Sequence, residues 1–149
     1  IQLMKKDVTN NIYTDAWINK NNQVVISDAA FDCDLSQLIK GSHLDEEGYL
    51  IDAEGHKYDL NDADVIAEVG LNDIELSDNT DGAIITGVIV DAVYKGDHYQ
   101  LMIRTEQEED FIVDTADTWN EGETVAISIA KEAIKLTLKG DIKKYVVEE

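Results

Sequence analysis

The sequence predicts an all-β protein built from small closed or partly closed barrels. Three observations carry this. The apolar residues fall mostly in short runs rich in Val, Ile, Tyr and Thr. Gly, Asn and Asp separate those runs where hairpins must turn. And the 149 residues contain no proline at all, so Pro-rich disordered linkers are absent. A chain of this length buries roughly 70% of its unfolded surface, enough for one real core or two very small ones.

Strands are expected, in order, over residues 12–18, 23–27, 30–33, 49–51, 65–69, 74–76, 84–94, 98–105, 111–114, 124–130 and 134–138. Asn21-Asn22 joins the first two, because asparagine tolerates positive φ in a tight hairpin. Glycine serves the same need in Glu54-Gly55, Lys95-Gly96-Asp97 and Glu121-Gly122-Glu123. Alternation sets the faces of the late strands. Val125, Ile127 and Ile129 share one side with Ser128 between two of them, and Ile134, Leu136 and Leu138 repeat the pattern with Lys135, Thr137 and Lys139 toward water. Residues 35–40 read as a brief helix with Ser36 as its N-cap, and residues 131–133 as a helical turn. Trp17 lies inside an alternating strand and is expected in the core. Trp119, in a loop beside Asn120 and Gly122, fits a surface contact, an interface contact or a partly buried plug.

An Ile-x-Leu tripeptide recurs as Ile1-Gln2-Leu3, Ile74-Glu75-Leu76 and Ile134-Lys135-Leu136, the latter two after similar short runs. The echo is either chance recurrence of a common amphipathic tripeptide or the mark of two similar β units, and the expected division is residues 1–80, a smaller subdomain with a preceding linker, and residues 81–149, a second barrel. The opening residue is Ile1 rather than Met, as expected of a piece cut from a longer chain.

Charge narrows the function. Asp and Glu number 32 against 12 Lys and Arg, a formal net charge of −20. Residues 1–80 hold 17 acids and 5 bases, residues 81–149 hold 15 and 7, so neither half is a basic patch. Nucleic-acid backbones are excluded as bulk electrostatic partners and anionic membranes are disfavoured, while polyamines, divalent metals and basic peptides stay open. The single Cys33 permits no intrachain disulfide and fits a reducing compartment. No stretch of about 18 apolar residues or charged-then-apolar leader is present.

The catalytic motifs are missing: GxxxxGK[ST], GxGxxG after a strand, GxSxG and HExxH do not occur. His43, His56 and His98 stand far apart and are expected as isolated residues, with no metal site. Glu106, Glu108, Glu109 and Asp110 form a run that reads as a solvated hairpin tip or, alternatively, a cation site. Asp45-Glu46-Glu47-Gly48 reads the same way, without EF-hand spacing.

The segment Gly87-Val88-Ile89-Val90-Asp91-Ala92-Val93-Tyr94-Lys95-Gly96-Asp97-His98-Tyr99 resembles the opening of a TOBE domain, a small OB-like barrel. The stretches 121–127 and 131–136 resemble its later elements. Upstream, Val69-Gly70-Leu71-Asn72-Asp73-Ile74-Glu75-Leu76 is similar to the segment that usually precedes the barrel, with Gly70-Leu71-Asn72 where the family has Arg-Pro-Glu. The layout resembles the C-terminal regulatory region of ABC-transporter ATPases, most of all the spermidine/putrescine importers.

The resemblance implies a non-catalytic regulatory and dimerisation module. Its parent would be a homodimeric subunit that binds ATP and Mg, sits in the cytoplasm and attaches to the membrane through permease subunits. The stretch itself would hold no cofactor and would not hydrolyse ATP. A polyamine is the expected ligand, with Asp91, Tyr94, Asp97, His98, Tyr99, Trp119, Glu106 and Glu109 as candidate contacts. Gly87, Gly96 and Gly122 are the expected bend and turn positions. A regulatory domain of a sugar or other importer, or a stand-alone cation- or small-ligand-binding β protein, are the alternatives.

Overall fold

The computed structural model describes residues 9–147; the expected repeat at Ile1-Gln2-Leu3 and the expected opening linker lie outside the described residues. Thirteen strands form in chain order: β1 (Asn10–Ile18), β2 (Val24–Ile26), β3 (Ala29–Phe31), β4 (His43–Leu44), β5 (Leu50–Ile51), β6 (Lys57–Tyr58), β7 (Asp64–Gly70), β8 (Ile74–Ser77), β9 (Ile85–Tyr94), β10 (Tyr99–Thr105), β11 (Asp110–Thr115), β12 (Thr124–Ile129) and β13 (Ile134–Leu138). The fold is all-β, interrupted only by short 3-10 turns among the described residues. These strands build two compact units. By their place in the sequence, one is central (Val69–Ile129, with residues 9–11) and one flanking (Ile12–Glu68, with residues 130–147).

The flanking unit is a five-stranded sheet in the order β13-β7-β1-β2-β3, joined by a three-stranded ribbon β4-β5-β6. Its hairpins have local causes. The Asn19 carboxamide oxygen accepts from the backbone N–H groups of Asn21 and Gln23, both at 2.9 Å, and Asn22 takes φ 61° as its residue type allows. Ser27 and Asp28, φ 55° and 64°, make the two-residue turn whose twist suits adjacent strands. Ile18, Val24, Ile26, Phe31, Leu35, Val65 and Ile134 fill the core, each no more than 2% exposed.

Two expectations give way here. Residues 35–40 are not an α-helix: a 3-10 turn covers Leu35–Leu38, and Asp34 rather than Ser36 caps it, its carboxylate accepting from the Ser36 N–H at 3.0 Å. Trp17 is 39% exposed rather than core. The reason lies three residues earlier. Thr14 and Asp15 both face outward, so the alternation of β1 slips by one, and Ala16 and Ile18 take the inward phase. The two-residue strands β4 and β6 carry no local pattern and went unforeseen.

The central unit is a second five-stranded sheet, in the order β11-β10-β9-β12-β8. β9 is long enough to pair with β10 along most of its length and with β12 over Ile85–Val88. Its irregularity is not at Gly87. Met102 pairs with Asp91 and Ile103 with Ile89, leaving Val90 as the extra residue of a bulge. Gly87 has a different cause: a Cβ there would stand 2.6 Å from Ile103 Cγ2 and 3.0 Å from the Arg104 carbonyl oxygen, so only glycine lets β9 and β10 come together. Gly96 and Gly122 take φ 106° and 90°, in the region that favours glycine. The buried Asn11 ties the edge of β11 by accepting from the Ile112 N–H at 2.8 Å and donating to the Ile112 carbonyl at 2.9 Å.

Written in equivalent order, the two sheets are β13-β7-β1-β2-β3 and β8-β12-β9-β10-β11. Each outer strand is borrowed. β8 follows β7 in the chain yet pairs with β12, and β13 follows β12 yet belongs beside β7. The Ile-x-Leu echo is therefore the exchanged strand itself. A cut at residue 80 gives way to interleaved units, because β8 at residues 74–77 completes the sheet of the strands that follow it. No helix among the described residues is long and apolar enough to cross a membrane.

Candidate functional site

The eight candidate contacts do not converge on one point. Tyr94, Asp97, His98 and Tyr99 share the β9–β10 turn. The rings of Tyr94 and Tyr99 lie 5.0 Å apart at 53°, and the Tyr94 hydroxyl donates to the Gly96 carbonyl. His98 reaches in two directions. Its Nδ1 is 2.6 Å from Asp97 Oδ1, and its Nε2 is 3.5 Å from Asp114 Oδ2. The bond to His98 holds the Asp97 carboxyl below the ordinary carboxylate range.

Asp114 was not foreseen, because a carboxylate at a strand end carries no motif. The structure makes it the hinge of the site. Its side chain is 18% exposed, its Oδ1 accepts from Gln100 Nε2 at 3.2 Å, and its backbone N–H donates to the Leu71 carbonyl at 2.9 Å. It also lines a cleft of about 340 Å³ with Glu75, Asp117, Trp119, Asn72 and Thr115. The Trp119 indole Nε1 is buried there without a hydrogen-bond partner, an uncommon state for a tryptophan N–H. An aromatic ring beside three carboxylates is the combination that takes an organic cation: charge from the acids, dispersion and ring-face attraction from the indole.

Glu106 lies elsewhere. It lines a second cleft of about 420 Å³ with Thr86, Gly87, Val88, Val90 and Arg104, and Val88 and Val90 are each 39% exposed. Glu109 stands in the β10–β11 hairpin, its backbone N–H reaching Thr105 Oγ1 at 3.3 Å. In the same hairpin Asp110 receives both Arg104 Nε at 2.8 Å and Nη2 at 3.1 Å, a bidentate pair that fixes the tip. Asp91 faces neither cleft; it is the register partner of Met102 beside the bulge.

In the flanking unit, Asp52, Glu54 and His56 bring one ligand atom each within 4.8 Å. The arrangement is accounted for by the turn. Partial burial pushes the Asp52 carboxyl up, but bonds from the His56 and Glu54 backbone N–H groups, the Tyr58 hydroxyl and the His56 ring together hold it below its ordinary value.

Residues 72–136, from just before β8 into β13, match the TOBE domain family. The chain is 36% identical over 74 residues to a spermidine/putrescine import ATP-binding protein PotA of Bacteroides fragilis, and 38% identical over 73 residues to the PotA of Bacteroides thetaiotaomicron. Those stretches are 50% and 49% of this chain, and 16% of each relative's length. A solved structure of the cytoplasmic molybdate-binding protein ModG with molybdate bound aligns with a TM-score of 0.48 at 11% identity, over 60% of this chain and 81% of that one. The shared region is a non-catalytic regulatory domain. Residues 72–136 of this chain are thus similar to the TOBE domain family.

Proposed function

We propose that this chain is the C-terminal regulatory and dimerisation region of an ABC importer ATPase of the spermidine/putrescine type. In this reading the parent protein works in the cytoplasm as a homodimer against membrane permease subunits, and a polyamine tunes it. The observation that carries the proposal is the 36–38% identity to two spermidine/putrescine import ATP-binding proteins over about half of the chain, together with the TOBE match at residues 72–136. The acidic composition and the Trp119 cleft agree with a polycationic ligand. Spermidine would lie along Trp119 with its ammonium groups toward Glu75, Asp114 and Asp117, and Asp97 would act on the site through His98. Glu106, Glu109 and Asp91, away from that cleft, contribute only to the general negative potential.

The test is calorimetry of the 149-residue chain with spermidine at low ionic strength. Salt-sensitive binding of about 10–100 μM is expected, an affinity in keeping with a few partly solvated ion pairs. Trp119→Ala and Asp117→Asn should each weaken it several-fold. Absence of both heat and a shift in Tm would remove the polyamine, leaving the importer assignment to be judged by whether the chain joins an ATPase dimer.

A further inference from the structure

The His98 ring makes one hydrogen bond, to Asp97, and a longer charge contact with Asp114 that gains strength only when the ring is protonated. A neutral imidazole has one N–H and can donate to one acceptor; only the imidazolium donates from both nitrogens. Here the two ring nitrogens face two carboxylates, Asp97 Oδ1 at 2.6 Å and Asp114 Oδ2 at 3.5 Å. Asp97 is 86% exposed and readily solvated, whereas Asp114 is 18% exposed and depends on its protein partners. Among the described residues, the charged side chains within 4 Å of the ring nitrogens are these two, one in its own turn and one on β11. Lys95 meets His98 through its backbone, its N–H donating to the His98 carbonyl at 2.8 Å. β9 and β10 bring Tyr94, Tyr99 and Gln100 to the same end of the sheet. Gln100 holds the other oxygen of Asp114.

We propose that His98 is a protonation-driven clasp on Asp114: as imidazolium it ties the β9–β10 turn to β11 and neutralises the carboxylate that a cation in the Trp119 cleft would use. On deprotonation the ring keeps one carboxylate, Asp114 regains its full negative charge, and the cleft becomes a better cation site. The sign follows directly. Protonation of the ring opposes cation binding, and loss of that proton favours it. This deepens the polyamine reading, and its second measurement rests on that reading; the first does not.

The first measurement is ligand-free NMR of the 149-residue chain across a pH series from about 5 to 8. The Gln100 side-chain amide should shift in step with the His98 ring, and should stay flat in His98→Gln. The second is spermidine titration at both ends of that range. Affinity should be about three- to tenfold weaker at the acid end in the wild type, and independent of pH in His98→Gln. A Gln100 amide that ignores the His98 titration, or that titrates equally in His98→Gln, overturns the clasp. Coupled titration of Gln100 with no spermidine binding at either pH upholds the clasp and removes the polyamine instead. Spermidine binding whose pH dependence survives His98→Gln overturns the competition.

Discussion

The two units share a strand order and differ in what they hang on it. Between its third and fourth sheet strands, β3 and β7, the flanking unit spends residues 32–63 on a 3-10 turn and the β4-β5-β6 ribbon. The equivalent link in the central unit, between β11 and β12, is residues 116–123. The long link is knitted by backbone bonds such as Asp45 N–H to the Tyr49 carbonyl and Asp59 N–H to the Tyr145 carbonyl. The short link leaves Trp119 lining an acidic cleft with its indole N–H unsatisfied. The sheet is the constant part, set by alternating apolar residues. The link is the variable part, where chemistry is added without disturbing the core.

The sharpest way to break that comparison is to strike the borrowed strands. Ile74 on β8 and Ile134 on β13 occupy equivalent edge positions and are 5% and 1% exposed. Truncation of a buried isoleucine to alanine costs about 2–5 kcal/mol. Ile74→Ala should loosen the central sheet, and Ile134→Ala the flanking one, although each residue lies in sequence next to the other unit. In a Trp17→Phe background, Trp119 fluorescence reports the central unit during urea unfolding. Ile74→Ala should move its midpoint more than Ile134→Ala does. The reverse order would mean that sequence neighbours, not the exchanged pairings, set local stability.

That exchange marks the limit of what the sequence shows. The strands themselves were legible because runs such as Val125-x-Ile127-x-Ile129 alternate at the period of a pleat. So were Asn22, Gly96 and Gly122, whose residue types answer to a positive φ. The Ile-x-Leu echo was visible as a repeat, but its partner strand was not. Pairing β8 with β12 joins residues about fifty positions apart in register, and nothing local encodes that. Asp114 is the same lesson at the site. Its importance comes from Gln100, His98 and Trp119 converging in space, and β-strand ends commonly carry an aspartate with no such role. Trp17 was misread because a one-residue slip at Thr14–Asp15 inverts every later face of the strand, and two adjacent polar residues are a faint sign of it.

A smaller effect is expected at Gly87, where the comparison turns on backbone approach rather than core volume. Gly87→Ala puts a methyl 2.6 Å from Ile103 Cγ2 and 3.0 Å from a backbone oxygen. The isoleucine can rotate but the Arg104 carbonyl belongs to the β9–β10 ladder, so the strands must part locally. A loss of about 1–3 kcal/mol is expected, confined to the central unit, with faster amide exchange at Ile103 and Arg104. A Cys33 labelling rate that rises as much as the Trp119 unfolding signal shifts would show that the damage is not local.

The mildest perturbation reads the flanking unit alone. Cys33 follows β3, is partly buried, and its Sγ donates to the Asn22 carbonyl at 3.5 Å. Burial pushes its thiol up to about 11 from 9.0, with Asp32 and Asp34 adding in the same direction against the Val24 backbone N–H. Only the thiolate attacks an alkylating reagent, so at pH 8 the folded chain should react with iodoacetamide about a hundredfold more slowly than an unfolded control, the ratio implied by a thiol raised from 9.0 to about 11. The linkage has a definite sign. The folded value is raised, so the unfolded chain loses its thiol proton first, and this contribution to stability is complete below about pH 9 and declines as pH rises toward 11. Ile134→Ala should accelerate labelling by opening the sheet that holds β3, and Ile74→Ala should leave it near the parental rate. Equal acceleration by both would dissolve the distinction between the two units, because a thiol in one would then be reporting the loss of a strand from the other.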